Sequence, residues 1–221
     1  MFATYAGGAG SAERALAGLG NDFNVASAYL KPYACCRGSH SSIDAMLDFI
    51  RERDLRPEDV DHIVVTAGET AINMLSVDPI ETVFDAQFSL PYAISVAIHS
   101  RGVGLDQFDP PRIGEPGIRA TFDKISMRLD TSIQLEDGPR LTVQLTDGSA
   151  VELLAGNPTT ARGSAGRPLS REELVAKVRA VLGPRGNAVA DDLIDAVDDL
   201  ENAPDLTRLL HALRAGNGEP S

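Results

Sequence analysis

The chain has 221 residues, of which 43% are hydrophobic and 24% are charged, with a formal net charge of −12 and a pI near 4.7. No stretch approaches the ~20 apolar residues that span a bilayer, and no basic-then-apolar leader is present, so we expect a cytoplasmic globular protein without a membrane partner. The strong negative charge also excludes nucleic acid as an expected partner, because the chain would repel a phosphate backbone.

The first half of the chain is predicted to mix helices with strands. Helices are predicted at 12–19, 43–53 and 91–100. Strands are predicted at 23–29 and 62–66. The helix at 91–100 is apolar on nearly all sides, with Ser89 placed to cap it, and we therefore expect it to be buried.

The second half is predicted to begin with strands and to end with helices. Three strands are predicted, at 126–129, 140–145 and 149–154. The last two flank Thr146-Asp147-Gly148, which is a strong hairpin signal. The Gly-, Thr- and Pro-rich segment 157–167 indicates a loop. Three helices follow, at 170–182, 189–200 and 206–213.

This order of elements predicts an α+β fold. We expect a two-layer domain at 20–160, in which helices pack on a small mixed or antiparallel sheet, followed by C-terminal helices at 168–215. Residues 1–19 are expected to be a linker, and residues 216–221 a disordered tail.

The densest group of reactive side chains lies at 31–40, Lys-Pro-Tyr-Ala-Cys-Cys-Arg-Gly-Ser-His. At a predicted strand-to-helix junction, side chains and free helix N–H groups can point at one anion. Lys31 and Arg37 would supply local positive charge, and His40 could move a proton near neutral pH. The residues alone leave open the alternative that both cations are solvated and that His40 belongs to the first helical turn.

Other kinds of site find less support. Adjacent cysteines rarely bridge one another, and Cys35 and Cys36 lack a Cys-x-x-Cys or histidine spacing that would suit zinc. No phosphate-loop or dinucleotide fingerprint is present. We therefore expect two reduced thiols, no metal and no cofactor.

Three motifs in sequence order resemble the MmgE/PrpD family. They are the string at 31–40 followed by Ile-Asp-Ala at 43–45, the string Ala-Gln-Phe-Ser-Leu-Pro-Tyr-Ala at 86–93, and Pro-Leu-Ser-Arg-Glu-Glu at 168–173 with Lys177 after it. The resemblance extends over residues 1–215. The family includes 2-methylcitrate dehydratase, cis-aconitate decarboxylase and iminodisuccinate epimerase, which share proton transfer beside a carboxylate of a small di- or tricarboxylic acid.

The resemblance implies that residues 20–160 are the smaller lid domain of such an enzyme. Residues 168–215 would then pack on a large helical domain, of which 1–19 would be a remnant. In the family that large domain supplies most acid and base residues, so it is the expected partner, and the chain alone is expected to be inactive. The alternatives are a non-catalytic truncated remnant, a module that self-associates, for instance as a dimer, and an enzyme that acts through the 31–40 cluster alone.

The resemblance also implies roles for single residues. Lys31 matches a lysine that faces the pocket, Cys36 stands where the decarboxylase branch has a catalytic histidine, and His40 matches a further histidine of the motif. These three are the expected catalytic residues, whereas Lys31, Tyr33 and Arg37 are expected to bind substrate. Because Cys36 replaces the histidine, the resemblance favours a dehydratase or epimerase type of reaction over decarboxylation.

Overall fold

The computed structural model describes residues 16–134, 137–157, 159–183 and 186–216. Residues 12–15 of the predicted helix at 12–19 and residues 217–221 of the predicted tail at 216–221 lie outside these residues. None of the helices in the described ranges is long and apolar enough to cross a membrane.

A four-stranded mixed sheet forms one layer of the fold. Its strands are β1 (Val60–Ala67), β2 (Ile125–Leu129), β3 (Arg140–Leu145) and β4 (Ala150–Leu154). They lie in the order β2-β1-β3-β4, with β1 parallel to β2 and antiparallel to β3. The predicted hairpin of β3 and β4 is confirmed. Its turn contains Gly148 with a φ of +87°, a left-handed conformation that glycine adopts without steric cost.

Helices form the second layer and the C-terminal part of the chain. Those before β2 are α1 (His40–Arg53), α2 (Glu69–Leu75), α3 (Val83–Gln87), α4 (Leu90–Ser100), α5 (Pro110–Ile113) and α6 (Pro116–Phe122). Those after β4 are α7 (Arg171–Leu182), α8 (Asn187–Asp198) and α9 (Thr207–Gly216). The predicted α+β fold with C-terminal helices is therefore confirmed.

The core lies between the sheet and the two longest helices of the first half, α1 and α4. Residues 90–98 of α4 are all buried, and the Ser89 hydroxyl accepts a hydrogen bond from the Tyr92 N–H, as the predicted cap requires. The buried stripe of α1 consists mainly of Ile43, Met46 and Ile50. Burying each of these side chains contributes roughly 1.5–3 kcal/mol of stability.

The C-terminal helices are amphipathic, and part of their apolar surface is uncovered. α7 begins with the predicted capping box, in which Ser170 and Glu173 exchange side-chain-to-backbone hydrogen bonds. α8 contacts both α7 and α9. Large apolar side chains nevertheless remain exposed at Val181, Val197, Leu200, Leu206, Leu210 and Leu213.

The strand predicted at 23–29 is wrong. Asn24–Ser27 form a short 3-10 helix, and the side chains of Phe23 and Val25 are 68% and 78% exposed. Alternating apolar residues favour a strand only where a neighbouring strand and a buried face accept them. Neither is present beside this segment in the described residues, so the 31–40 cluster follows an irregular segment and not a strand.

Candidate functional site

His40, the first residue of α1, is fully buried at the centre of the 31–40 cluster. Its ring lies edge-on to Tyr33, and its Nε2 is 3.3 Å from the carbonyl oxygen of Cys35. Because a carbonyl only accepts, Nε2 carries the proton, and Nδ1 accepts from the Tyr29 hydroxyl at 2.7 Å. Burial lowers the pKa of His40 to about 4, and nearby cations act in the same direction, while the hydrogen bond to Cys35 opposes them. His40 is therefore a neutral imidazole at neutral pH.

Tyr29 connects His40 to a distant part of the chain. Its hydroxyl also donates to the carbonyl oxygen of Arg162 at 2.9 Å, so one proton is shared between two acceptors. The guanidinium of Arg37 lies 4.4 Å from the centre of the phenol ring, at cation–π distance. Burial is the main cause that raises the pKa of Tyr29 to about 12. The phenol thus stays protonated and hydrogen-bonded to both partners.

Tyr33 faces the interior, with 5% of its surface exposed. Its hydroxyl donates to Oδ1 of Asp44 at 2.5 Å, and Oδ2 of the same carboxylate accepts from the Arg162 N–H at 2.8 Å. Burial, helped by Asp44, holds the pKa of Tyr33 well above its usual value. The hydroxyl predicted to bind substrate is therefore occupied by a carboxylate of the protein itself.

The two predicted cations of the cluster are exposed, and the two thiols differ. Lys31 reaches the carbonyl oxygen of Cys35 with its Nζ at 3.5 Å, and the guanidinium of Arg37 covers Tyr29. Cys35 is buried, which raises the pKa of its thiol to about 12. Cys36 is half-buried, and its N–H donates to the carbonyl oxygen of Gln87. Of the two thiols, only that of Cys36 is partly accessible.

Two backbone N–H groups at the start of α1 are already hydrogen-bonded within the protein. Arg37–Ser39 form a 3-10 turn, in which the N–H groups of Ser39 and His40 donate to the carbonyls of Cys36 and Arg37. Any anion at this junction would therefore be held by side chains and not by these two amides.

α7 approaches the same site from the far end of the chain. The Arg162 guanidinium pairs with the Glu173 carboxylate in the first turn of α7. Lys177 lies one turn further on and is exposed. Its charge acts on His40 together with those of Lys31 and Arg37. Three cations from two parts of the chain therefore lower the pKa of one neutral imidazole.

A cavity of about 390 Å³ lies between α1, α2 and residues 131–134 and 138–139. Gly38 and Ser41 line it from the cluster side, and Glu69 contributes a carboxylate. None of the described residues that line it is a lysine or an arginine. The cations and the cavity are thus separate features.

The side chains that could ligate a metal are scattered. Within the described residues, no group of three or more histidine, cysteine, aspartate or glutamate side chains lies close enough to hold one ion.

A comparison with protein families identifies the domain. The MmgE/PrpD C-terminal domain model matches residues 33–202. The chain belongs to the MmgE/PrpD family. The match spans the sheet, the helices before β2, α7 and α8, and so confirms the resemblance found in the sequence. A comparison with curated proteins finds no match.

Some of the residues that the sequence singled out lie together in this MmgE/PrpD domain, and their roles stay predictions. Lys31, Arg37 and His40 come together as the 31–40 motif suggests, while Tyr33 is directed towards Asp44. The contact of Tyr29 with Arg162 was not predicted, because 133 residues separate the two in sequence and no local pattern marks it. Lys177 was noted only as part of a motif, although it has a signal of its own as one of three lysines in the chain.

Proposed function

We propose that this chain is the lid part of an MmgE/PrpD lyase or isomerase that transfers a proton beside a carboxylate of a small di- or tricarboxylic acid. The reaction would be of the dehydratase or epimerase type. One observation carries the proposal: exposed Lys31 and Arg37 adjoin a neutral, buried His40 in a chain whose net charge is −12. Family membership supports the same conclusion.

Positive charge is what this chemistry needs from the lid. Removing a proton beside a carboxylate builds up enolate-like negative charge, which positioned cations stabilise. In this proposal Lys31 and Arg37 bind the carboxylates, and Lys31 and Cys36 are the candidates for proton transfer. His40 is fully buried and contacts the half-buried Tyr29 through its Nδ1, and so it acts as a positioning residue.

The proposal includes a partner and an inactive state of the isolated chain. The cations lie on an exposed face, whereas proton transfer at carbon requires a site that excludes water. A large helical MmgE/PrpD domain would close this face, and the exposed apolar side chains of α7–α9 would pack against it. Two unpaired cysteines fit a cytoplasmic location, which is part of the same proposal.

The test is exchange of carbon-bound protons for deuterium, followed by proton NMR in a panel of small di- and tricarboxylates. The chain is assayed alone and after co-expression with a large MmgE/PrpD domain from the same genome. We expect exchange only in the complex, and a drop of at least about 100-fold in Lys31→Ala. Lys124→Ala is the matched control, because Lys124 donates to the backbone carbonyl of Val60 away from the cluster. Exchange that persists unchanged in Lys31→Ala, or that never occurs in the complex, would overturn the proposal.

A second candidate is a non-catalytic module that self-associates. The observation that favours it is the row of exposed apolar side chains on α8 and α9, which include Val197, Leu210 and Leu213. Light scattering decides this point. A dimer that Leu210→Glu dissociates would support self-association, and a concentration-independent monomer would refute it.

A further inference from the structure

Lysine is rare in this chain, and two of its three lysines lower the pKa of the same residue, His40. The sequence contains three lysines and seventeen arginines. Lys124 donates to the carbonyl oxygen of Val60 at 2.6 Å. The positive charges of the other two, Lys31 and Lys177, both lower the pKa of His40.

The orientation of α7 places Lys177 at the site. Tyr29 donates to the Arg162 carbonyl, and the Arg162 guanidinium pairs with Glu173. These contacts fix the first turn of α7 beside the Tyr29–His40 pair. Lys177 follows Glu173 by four residues, and therefore lies on the same helix face about 6 Å further along the axis.

The other cations of α7 point elsewhere. Arg171 pairs with Asp198 and Arg179 pairs with Asp191, both of which are carboxylates of α8. Within the part of the chain that the structure describes, Lys177 has no such ion pair. α7 thus presents two neutralised arginines to α8 and one uncompensated lysine to the 31–40 cluster.

We propose that Lys177 binds a substrate carboxylate, as a third cation beside Lys31 and Arg37, and that α7 is a wall of the site. This inference rests on the proposed function and adds one binding residue to its site. Cations on two separate segments can hold two carboxylates of one molecule at once, so the site should prefer acids with several carboxylates. A lysine suits this role because its ammonium is a compact charge on a flexible stem.

The three lysines allow a direct test on the whole chain. Reductive methylation with ¹³C-formaldehyde keeps the charge of each lysine and gives it a separate NMR signal. Each signal is assigned with a single lysine-to-arginine variant. Tricarballylate is then titrated against sodium chloride of equal ionic strength. We expect the signals of Lys31 and Lys177 to move together with one saturation curve, and the signal of Lys124 to stay in place.

The outcomes separate this inference from the proposed function. Movement of Lys31 alone would overturn the role of Lys177 and leave the proposed function standing. If neither lysine moves, the inference about Lys177 falls, whereas the proposed function is decided separately by proton exchange in the complex. Equal movement of all three lysines would indicate nonspecific binding and would also overturn the inference.

Affinity measured on variants provides an independent readout. We expect Lys177→Gln to weaken tricarballylate binding about fivefold, the effect of losing one solvated ion pair, and to weaken binding of the monocarboxylate propionate much less. Lys177→Arg should restore most of the affinity. Arg179→Gln is the matched control on the same helix. Equal losses for both ligands, or a loss in Arg179→Gln as large as in Lys177→Gln, would contradict the assignment.

Discussion

The buried imidazole of His40 predicts how the stability of the protein depends on pH. Its pKa falls from 6.5 in the unfolded chain to about 4 in the fold, chiefly because of burial. Between these values the unfolded chain binds a proton that the folded chain does not. The contribution of His40 is therefore fully present above about pH 6.5 and is lost as the pH falls towards 4.

The expected magnitude follows from the two pKa values. Protonation of the unfolded state alone lowers the free energy of unfolding by about 2 kcal/mol between about pH 7.5 and about pH 5. Carboxylates titrate in the same range, so the wild-type curve alone does not isolate this effect. The difference in slope between the wild-type protein and His40→Gln isolates the effect of His40, because Gln does not titrate.

The assay is urea unfolding at a series of pH values, followed by circular dichroism. His40→Gln will be less stable at every pH, but its own loss between pH 7.5 and pH 5 should be smaller than that of the wild type by about 2 kcal/mol. His211→Gln is the matched control, since His211 is exposed on α9, and its slope should follow the wild type. Parallel slopes for wild type and His40→Gln would refute the view that His40 is buried and neutral.

Three further substitutions probe the contacts that build the site, each measured as the free energy of unfolding in urea. Tyr33→Phe removes a donor from the buried carboxylate of Asp44 and should cost about 1–3 kcal/mol; a change within error would mean that solvent replaces the hydroxyl. Gly163→Ala should lower the free energy of unfolding by at least about 2 kcal/mol, because φ is +92° and a Cβ would meet a backbone oxygen. Gly183→Ala is the control, since a Cβ there would lie in open space and the free energy of unfolding should change little. Ser170→Ala should cost about 1 kcal/mol through the lost helix cap, and an unchanged stability would show that α7 does not depend on it.

The sequence predicted those elements whose ends are marked by capping or turn residues. α4 has a serine cap and a continuous apolar run, the β3–β4 turn has Asp-Gly, and α7 opens with a capping box. Short helices such as α2 and α5, of seven and four residues, contain too few turns for a period to be seen. The strand predicted at 23–29 is wrong for the opposite reason, since its apolar residues alternate as in a strand but Phe23 and Val25 remain exposed.

For the candidate site, the sequence indicated which residues to consider, but it did not predict the contacts between them. The string at 31–40 named the cations and the imidazole, because all of them lie within ten residues. It could not show that Tyr33 turns inward to Asp44, since this depends on the Arg162 amide that satisfies the other carboxylate oxygen. The approach of Lys177 depends in the same way on the position of α7, which the Arg162–Glu173 pair fixes.

The hydrogen bond from Tyr29 to Arg162 also has a consequence for folding kinetics. It joins residues 133 positions apart, and Asp44 meets the same arginine across 118 positions. Contacts of such sequence separation close long loops, and the entropy of closure must be overcome before they add stability. During synthesis the 31–44 region leaves the ribosome while its partners are still untranslated, so Asp44 stays without this backbone donor until residue 162 has emerged. The surroundings of His40 should therefore reach their native form late, after the sheet and α4, and an imidazole NMR signal from this residue would report the completion of folding.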